Sequence, residues 1–265
     1  MEGTSGPERE SMHIVAAGLS DVGLQREHNE DSFCILPEYD LFVVADGMGG
    51  HKAGDVASRM ATNTIASFFR ATQSEDATWP FHFDPHLSMA ENRLITGIKL
   101  ANKQIFDASL ANHAVHGMGT TIVTALFSRE RKAMYVAHVG DSRCYLVRSG
   151  QITLLTRDHS LLNDYLLVMP EMTKEQQAEL PKNVITRALG MQDTVAVDLV
   201  PAQPQAGDRY LLCSDGLSGM VSDEEICAIV GGAPDLEQGA RELIDRANEH
   251  GGEDNCTVVL LGVEG

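Results

Sequence analysis

Aspartates at the ends of apolar, strand-like runs constrain this sequence more than any other feature. The run LFVVA stops at Asp46, the run YLLC ends just before Asp215, and the run CTVVLL begins just after Asp254. Short continuous apolar runs of this kind are typical of strands that are buried on both faces. A carboxylate beside a buried strand is costly to desolvate unless something compensates its charge. The pattern therefore indicates that these strand ends carry either tight turns or compensated charges.

Two further acidic motifs, around Glu30 and Asp141, stand at the ends of similar runs. Taken alone, Asp46-Gly47 is ordinary turn chemistry. Several carboxylates that converge repel one another, however, and bound cations relieve that repulsion. Oxygen ligands select hard ions such as Mg²⁺ or Mn²⁺, and the missing Cβ of Gly47 lets its carbonyl approach an ion closely. Zinc is disfavoured, because the ten histidines are scattered and no His or Cys cluster has zinc-ligand spacing.

Charge and missing motifs exclude several other functions. The formal net charge of -18 argues against nucleic acid and anionic membranes as partners, because affinity for phosphate backbones comes mostly from Lys and Arg. No apolar run approaches the ~20 residues needed to span a bilayer. The sequence has no P-loop, no H-E-x-x-H, and no Cys followed six residues later by Arg. Its five cysteines form no CxxC pair, so we expect free core thiols in a reducing cytoplasm.

The hydrophobic period alternates between helix and strand along the chain. Helical spacing predicts an early helix that ends near Arg70, a second through Ile98 and a late one through Leu243. Strands are predicted at 14–19, 32–36, 41–45, 121–127, 133–139, 144–147, 152–155, 209–213 and 256–263. Antiparallel hairpins with helices outside favour two packed sheets over alternating βαβ units. The expected fold class is α+β, a four-layer α-β-β-α sandwich of two antiparallel β-sheets flanked by helices.

We expect a single domain over residues 12–265, preceded by a disordered leader at 1–11. The irregular segment 160–188 is broken by Pro170 and Pro181, and we expect it to form a flap. Within it, Thr173 and Gln176 predict a helix-capping box. The apolar side chains of the flap, such as Leu161, are more often core than contact residues. An apolar insertion near a cleft could nevertheless touch a protein substrate.

Six motifs in a fixed order resemble those of the type 2C metal-dependent protein phosphatases (PPM type). They are Arg26 with Asn29-Glu30-Asp31, Asp46-Gly47-Met48-Gly49-Gly50-His51, Gly117-Met118-Gly119-Thr120-Thr121, Gly140-Asp141-Ser142-Arg143, Ser214-Asp215-Gly216 and Asp254-Asn255. Any one motif is weak, but six in this order, covering nearly the whole chain, are specific. The bacterial, stand-alone members look most similar. The resemblance implies a catalytic domain with metals in the cleft between the two sheets.

The resemblance also implies a set of metal ligands for two ions of Mn²⁺ or Mg²⁺. Asp46 would bridge the two ions. Asp215 and Asp254 would complete the first site. The backbone carbonyl of Gly47, and Glu30 through a water, would serve the second.

Two more acidic residues have less settled roles. By resemblance, Asp141 together with Asp215 would hold a third, weaker ion, as in bacterial relatives. The alternative is a hairpin residue that pairs with Arg143. Asp31 is expected to accept hydrogen bonds behind the ligands rather than to bind an ion itself.

Arg26 and His51 are the candidates for contacting substrate. The planar fork of Arg26 suits a phosphate, and its place four residues before Glu30 matches the family; the alternative is an ordinary surface cation. Eukaryotic members carry a histidine directly after Asp-Gly, proposed as the general acid, and Met48 stands at that position here. His51, three residues on, either supplies the proton or is a solvated loop histidine. His159 resembles a family position near the flap, where a structural role is favoured over catalysis.

The sequence thus predicts an enzyme, a protein serine/threonine phosphatase. A hydroxide formed from water shared by two metals would attack phosphoserine or phosphothreonine directly. The expected partners are phosphoprotein substrates and an opposing serine/threonine kinase, and we expect a cytoplasmic monomer. Two alternatives remain open: a non-catalytic phosphoprotein-binding module of the same fold, and a two-metal nuclease, which the -18 charge and the lack of a basic stripe disfavour.

Overall fold

Two antiparallel sheets face each other in the computed structural model, which describes residues 12–49, 53–73, 79–81, 83–181 and 184–265. The leader predicted at 1–11 lies outside these residues, as does His51. The strands of the described part are β1 (His13–Asp21), β2 (Asp31–Leu36), β3 (Leu41–Met48), β4 (Gly119–Thr120), β5 (Ile122–Ser128), β6 (Ala133–Val139), β7 (Arg143–Arg148), β8 (Gln151–Leu154), β9 (Asp198–Ala202), β10 (Arg209–Cys213) and β11 (Cys256–Glu264).

The strand order explains how distant segments become neighbours. One sheet has the order β1-β11-β10-β7-β8, and the other has the order β2-β3-β5-β6-β9, with β4 paired to the end of β3. Every pairing between these strands is antiparallel. The central strands β3, β10 and β11 therefore belong to different sheets but can end at the same side of the sandwich.

Helices lie on the outer face of each sheet and in the flap. They are α1 (Ala53–Ala71), α2 (Met89–Ala111), α3 (Leu161–Val168), α4 (Lys174–Glu179), α5 (Asp215–Ser218), α6 (Asp223–Gly232) and α7 (Leu236–Glu249). Helices α1 and α2 pack on the sheet that contains β3, and α5, α6 and α7 pack on the sheet that contains β11. The four-layer α-β-β-α sandwich predicted from the sequence is confirmed.

The LFVVA run shows why the central strands are apolar throughout. Phe42 and Val44 point into the core between the sheets, where they join residues such as Tyr210 and Val259. Their neighbour Val43 points the other way, into the core beneath α1 and α2. Side chains alternate across a strand, so a strand with a layer on each side must be apolar at every position.

Local signals in the sequence also hold. The capping box of Thr173 and Gln176 forms at α4, and that of Ser222 and Glu225 forms at α6. Helix α3 ends before Pro170 and α4 ends before Pro181. Among the described helices, none combines the length and the apolar character that a bilayer crossing requires.

One strand was missed in the sequence analysis, and the burial of one helix was misjudged. Strand β9 was not predicted, because Pro201 interrupts it; β9 lies at the edge of its sheet, where a missing N–H donor is tolerated. The apolar residues of α3 are not core residues, since none of them is buried. Val168, the last residue of α3, is 81% exposed.

Candidate metal centre

The predicted acidic ligands meet at one end of the sandwich. Asp46 lies two residues before the end of β3 in one sheet, whereas Asp215 follows β10 and Asp254 precedes β11 in the other. Asp141 lies in the turn between β6 and β7. Asp46, Asp215 and Asp254 line the same cleft. Side chains that are up to about two hundred residues apart in sequence thus share one site.

The electrostatics of the site report the same convergence. The pKa of Asp46 is raised well above its usual range, first by burial and then by the charges of Asp31, Asp215, Asp141 and Asp254. Burial, followed by the charge of Asp215, raises the pKa of Asp141 to about 7. The pKa of Asp215 is also raised, first by burial and then by Asp254. Carboxylates held this close favour protonation or cation binding.

A pair of hydroxyl groups fixes Asp46 relative to Asp141. Thr121 Oγ1 accepts a hydrogen bond from the backbone N–H of Asp46 (3.2 Å) and lies 2.6 Å from Ser142 Oγ. The N–H of Thr121 in turn donates to the carbonyl of Asp46 (2.8 Å). Because Ser142 follows Asp141 directly, the end of β3 and the β6–β7 turn are linked through buried hydrogen bonds.

A second buried link joins the two sheets behind the site. Ser214 Oγ donates to Asp31 Oδ2 (2.8 Å) and accepts from the N–H of Thr257 (2.9 Å). Asp31 is opposite Asp46 in the β2–β3 pair. Asp31 therefore lies beside Asp46 and orients Ser214, which directly precedes Asp215.

Asn255 holds the loop that carries Glu30. Its side-chain oxygen accepts from the N–H of Glu30 (2.7 Å), and its amide donates to the carbonyls of Val22 (2.9 Å) and His28 (3.0 Å). Gly47 packs tightly against the same loop, since a Cβ at this position would lie 2.4 Å from the carbonyl oxygen of Glu30. Burial raises the pKa of Glu30.

Arg26 lies at the exposed mouth of the site. Its Nη2 donates to Asp254 Oδ2 (2.6 Å), and its Nε donates to the carbonyl of Glu253 (3.4 Å). Arg26 therefore stands beside the predicted ligand Asp254 with part of its guanidinium group exposed to solvent.

The hairpin alternative for Asp141 is wrong. Arg143 forms its ion pair with Asp158, with N–O distances of 2.7 to 3.2 Å, and also donates to the hydroxyl of Tyr145 (2.9 Å). Asp141 Oδ1 is buried and accepts no hydrogen bond from any described residue. The carboxylate of Asp141 is therefore free to face Asp215 across the site.

Two adjoining clefts open at this end of the sandwich. The first, which we term the acidic cleft, has a volume of about 480 Å³ and is lined in part by Arg26, Glu30, Asp46, Asp215 and Asp254. The second, the flap cleft, measures about 550 Å³ and is lined in part by Asp141, Leu161, Val184, Asp215 and Asp254. Because two aspartates line both clefts, a substrate can reach the acidic cluster along the flap.

A separate group of His138, His159 and Asp198 has ligand atoms within 4.8 Å of one another, but its hydrogen bonds argue against a metal. The N–H of Gly140 donates to His159 Nδ1 (2.9 Å), so this nitrogen carries the lone pair and Nε2 carries the proton. Nε2 lies 3.3 Å from Asp198 Oδ2. Burial lowers the pKa of both histidines, that of His138 to about 4. The structural role expected for His159 fits this geometry.

The residues of the acidic cleft fit divalent cations. The donor set consists of carboxylate oxygens and the carbonyl of Gly47, which are the ligands that Mg²⁺ and Mn²⁺ prefer. Buried oxygens of Glu30, Asp31 and Asp141 have no hydrogen-bond partner among the described residues. Cations would satisfy the oxygens of Glu30 and Asp141 and offset the mutual repulsion of the clustered carboxylates. The fold and the site together define a two-sheet sandwich protein whose acidic cleft fits divalent cations.

Comparison with known proteins gives the family. Residues 25–255 match the model of the Protein phosphatase 2C family. The serine/threonine phosphatase stp of Listeria welshimeri is 38% identical over 251 residues, which cover 91% of this chain and 93% of the relative. The crystal structure of the Mycobacterium tuberculosis serine/threonine phosphatase PstP/Ppp superposes with a TM-score of 0.80 at 35% identity, covering 95% of this chain and 99% of that one.

A second PstP structure contains the catalytic domain in complex with 2 manganese ions. It superposes with a TM-score of 0.80 at 34% identity, covering 96% of this chain and all of that one. These matches show that the chain belongs to the protein phosphatase 2C family, as the ordered motifs indicated.

Sequence reasoning missed the residues that hold the ligands in place. Thr121, Ser142 and Asn255 stood inside the quoted motifs without a role, and Ser214 likewise. A polar residue directly beside a candidate ligand at the end of a buried strand is the signal that could have identified them, because a buried hydroxyl or amide must find a partner.

Proposed function

We propose that this chain hydrolyses phosphoserine and phosphothreonine in proteins, with Mn²⁺ or Mg²⁺ held in the acidic cleft. The observation that carries the proposal is the convergence of Asp46, Asp141, Asp215 and Asp254 from two sheets where the acidic cleft and the flap cleft adjoin. Membership of the protein phosphatase 2C family supports it, as do relatives that are named serine/threonine phosphatases.

Asp46, whose pKa is raised by burial and by four neighbouring aspartates, would serve two ions at once, and Asp215 and Asp254 would complete one of the two sites. The carbonyl of Gly47 and, through a water, the side chain of Glu30 would serve the other, and Asp141 with Asp215 would offer a third. When bound, the ions supply an activated water at neutral pH and stabilise charge on the phosphoryl oxygens.

The remaining residues bind and orient the substrate. Arg26 offers its exposed N–H groups to the phosphate, in exchange for part of its bond to Asp254. Thr121 and Ser142 keep Asp46 and Asp141 at a fixed separation, so that little reorganisation is needed when charge develops. His51, outside the described residues, remains the predicted general acid that protonates the departing serine or threonine oxygen.

The flap, residues 160–188, is the segment that would contact the protein part of the substrate. Its helix α3 leaves Leu167 64% exposed, and its edge lines the flap cleft beside Asp141 and Asp215. Trimming the flap is expected to lower activity on phosphoproteins more than on p-nitrophenyl phosphate. Equal losses on both substrates would count against this role.

Further parts of the proposal concern the setting of the enzyme. We place a single catalytic domain at residues 12–265 and expect it to work as a cytoplasmic monomer. A serine/threonine kinase that phosphorylates the same substrates would be its opposing partner. The names of the relatives describe phosphatases and mention no kinase. We infer the kinase from the reaction, because a kinase must supply the phosphoserine and phosphothreonine that the enzyme hydrolyses.

The test is an assay on phosphoserine, phosphothreonine and phosphotyrosine peptides, with Mn²⁺ and with a chelator. We expect Mn²⁺-dependent release of phosphate from the first two peptides, and loss of both turnover and Mn²⁺ binding in Asp46→Asn. Asp245→Asn removes an exposed carboxylate on α7 and serves as the matched control. Binding of phosphopeptides without any hydrolysis would favour the non-catalytic module instead, and cleavage of an oligonucleotide would favour the nuclease.

A further inference from the structure

A groove beside the acidic cleft is not used by the hydrolytic machinery described above. It has a volume of about 360 Å³, and its walls include Met48, Ile185, Arg187, Met191 and Val195. We refer to it as the Met48–Met191 groove. Met48 and Ile185 also line the acidic cleft. A chain that enters the acidic cleft can therefore continue into the groove without leaving the protein surface.

The floor of the groove is built from three hydrogen-bonded backbone segments. Met48 of β3 is opposite Gly119 of β4, and Thr120 exchanges two backbone hydrogen bonds with Leu189 (2.8 and 3.1 Å). A Cβ on Gly119 would lie 3.5 Å from Met48 Cγ and 3.4 Å from Met191 Sδ. A Cβ there would also lie 2.9 Å from the carbonyl oxygen of Leu189, so the glycine lets both methionines and this carbonyl approach β4 closely.

The outer wall of the groove is held in place by a buried asparagine. Asn102 of α2 is 1% exposed. Its side-chain oxygen accepts from the N–H of Gly190 (2.9 Å), and its amide donates to the carbonyls of Gln192 (3.0 Å) and Asp193 (3.2 Å). The short segment that carries Met191 is therefore positioned before any ligand arrives, which lowers the entropic cost of binding.

The chemistry of the walls identifies the kind of group that the groove accepts. Met48, Ile185, Met191 and Val195 are apolar, and methionine side chains adapt readily to the shape of a partner. Arg187 is the charged residue among the described lining, and its guanidinium group already pairs with Asp198 (2.5 Å) and donates to the carbonyl of Ala196 (3.2 Å). Thr186, Gln192 and Thr194 add neutral polar groups to the lining, so the groove offers apolar contacts within a partly polar surface and no unbalanced charge.

We propose that the Met48–Met191 groove is a specificity subsite that receives an aliphatic side chain of the substrate peptide, within a few residues of the phosphorylated serine or threonine. The inference rests on the proposed phosphatase function and adds a sequence preference to it. Its occupant is a phosphoprotein segment, because the groove is continuous with the cleft in which the phosphate is hydrolysed.

The experiment compares phosphothreonine peptides that differ at one position at a time. Each position within four residues of the phosphothreonine carries Leu, Met, Gly, Lys or Asp, and kcat/KM is measured with Mn²⁺. At one position we expect Leu and Met to exceed Lys and Asp by about fivefold, which corresponds to about 1 kcal/mol. p-Nitrophenyl phosphate, which has no flanking residues, reports the metal centre alone.

Variants at Met191 assign the preference to the groove. Met191→Glu should abolish the preference for Leu and favour Lys at the same position, with the rate on p-nitrophenyl phosphate unchanged within twofold. Met191→Leu should keep the wild-type preference. Met89→Glu is the matched control, since Met89 is 51% exposed on α2 and Met191 is 56% exposed. Such exposed positions tolerate a charge without loss of folding.

Several outcomes would overturn the proposal. The absence of any apolar preference in wild type would do so, as would a preference that survives in Met191→Glu. An equal loss on peptides and on p-nitrophenyl phosphate would show that Met191 acts through the metal centre. A change in molar mass in Met191→Glu without a change in peptide preference would assign the groove to a second copy of the chain. Absence of hydrolysis of every substrate would instead refute the proposed function, and the subsite with it.

Discussion

Replacing Asp31 by asparagine is expected to stabilise the metal-free protein, by an amount that depends on pH. Asp31 is 9% exposed; its Oδ2 accepts from Ser214, and its Oδ1 is among the buried oxygens that lack a partner in the described part of the chain. Burial raises the pKa of Asp31 from 3.8 to about 7, hydrogen bonds to Ser214 and Thr257 oppose this rise, and the charges of Asp215 and Asp254 add to it.

The size of the effect follows from that pKa. The folded and unfolded values differ by about 3 pH units, and each unit corresponds to about 1.4 kcal/mol, so an ionised Asp31 costs about 4 kcal/mol. Because the folded pKa is the higher one, the cost is absent below the unfolded pKa. It grows between about pH 4 and pH 7 and is complete above pH 7. Asparagine carries no charge at any of these values.

The assay is urea unfolding of wild type and Asp31→Asn in the presence of a chelator. We expect the variant to be more stable by about 4 kcal/mol at pH 8, by about 2 kcal/mol at pH 5 and by less than about 1 kcal/mol at pH 4. Asp245→Asn, which removes an exposed carboxylate, should change stability by less than about 0.5 kcal/mol throughout. A gain that is constant from pH 4 to pH 8, or a loss at pH 8, would refute the reasoning.

Three further predictions concern single residues. His138→Phe keeps an aromatic ring stacked on His159. The pKa of His138 in the folded protein, about 4, lies below the unfolded value of 6.5, so wild type loses stability as the pH falls. In urea unfolding, the stability of the variant relative to wild type should therefore rise by about 2.5 kcal/mol from pH 7.5 to pH 4.5. A stability difference that does not change with pH would contradict this prediction. Arg26→Ala should lower kcat/KM about 10- to 100-fold through a higher KM, as expected for a lost charged hydrogen bond; an unchanged KM in steady-state kinetics would argue against phosphate contact. Asn255→Asp keeps the acceptor for the N–H of Glu30 but loses the two hydrogen bonds that the amide donates to Val22 and His28. It should therefore lower the free energy of unfolding by about 2–4 kcal/mol and weaken Mn²⁺ binding. Stability and Mn²⁺ affinity equal to those of wild type would contradict the positioning role.

Local patterns in the sequence were enough to predict the layers and the candidate ligands. The run before Asp46 is apolar at every position because β3 is covered on both faces, and that requirement is visible in the sequence itself. The capping boxes at Ser222 and Thr173 are equally local. The order of the acidic motifs supplied the family resemblance and, through it, the predicted roles of the ligands. Each of these motifs stands near the end of a strand.

Contacts between distant segments could not be predicted in the same way. Strand β9 contains Pro201 and is stabilised by its pairing with β6, so its own sequence resembles a loop. Arg143 pairs with Asp158 rather than with the nearby Asp141, because the β7–β8 hairpin brings Asp158 back beside the start of β7. The stacking of His138 on His159 likewise depends on tertiary structure.

The central claim is that Asp46 and its neighbours bind divalent cations together. Calorimetric titration of the metal-free protein with Mn²⁺ tests it without reference to turnover. The account predicts at least two ions per chain in wild type, and in Asp46→Asn a loss of both ions or an affinity lowered by at least about a hundredfold, as for a lost charged ligand. Binding of the same number of ions with the same affinity in Asp46→Asn would contradict it.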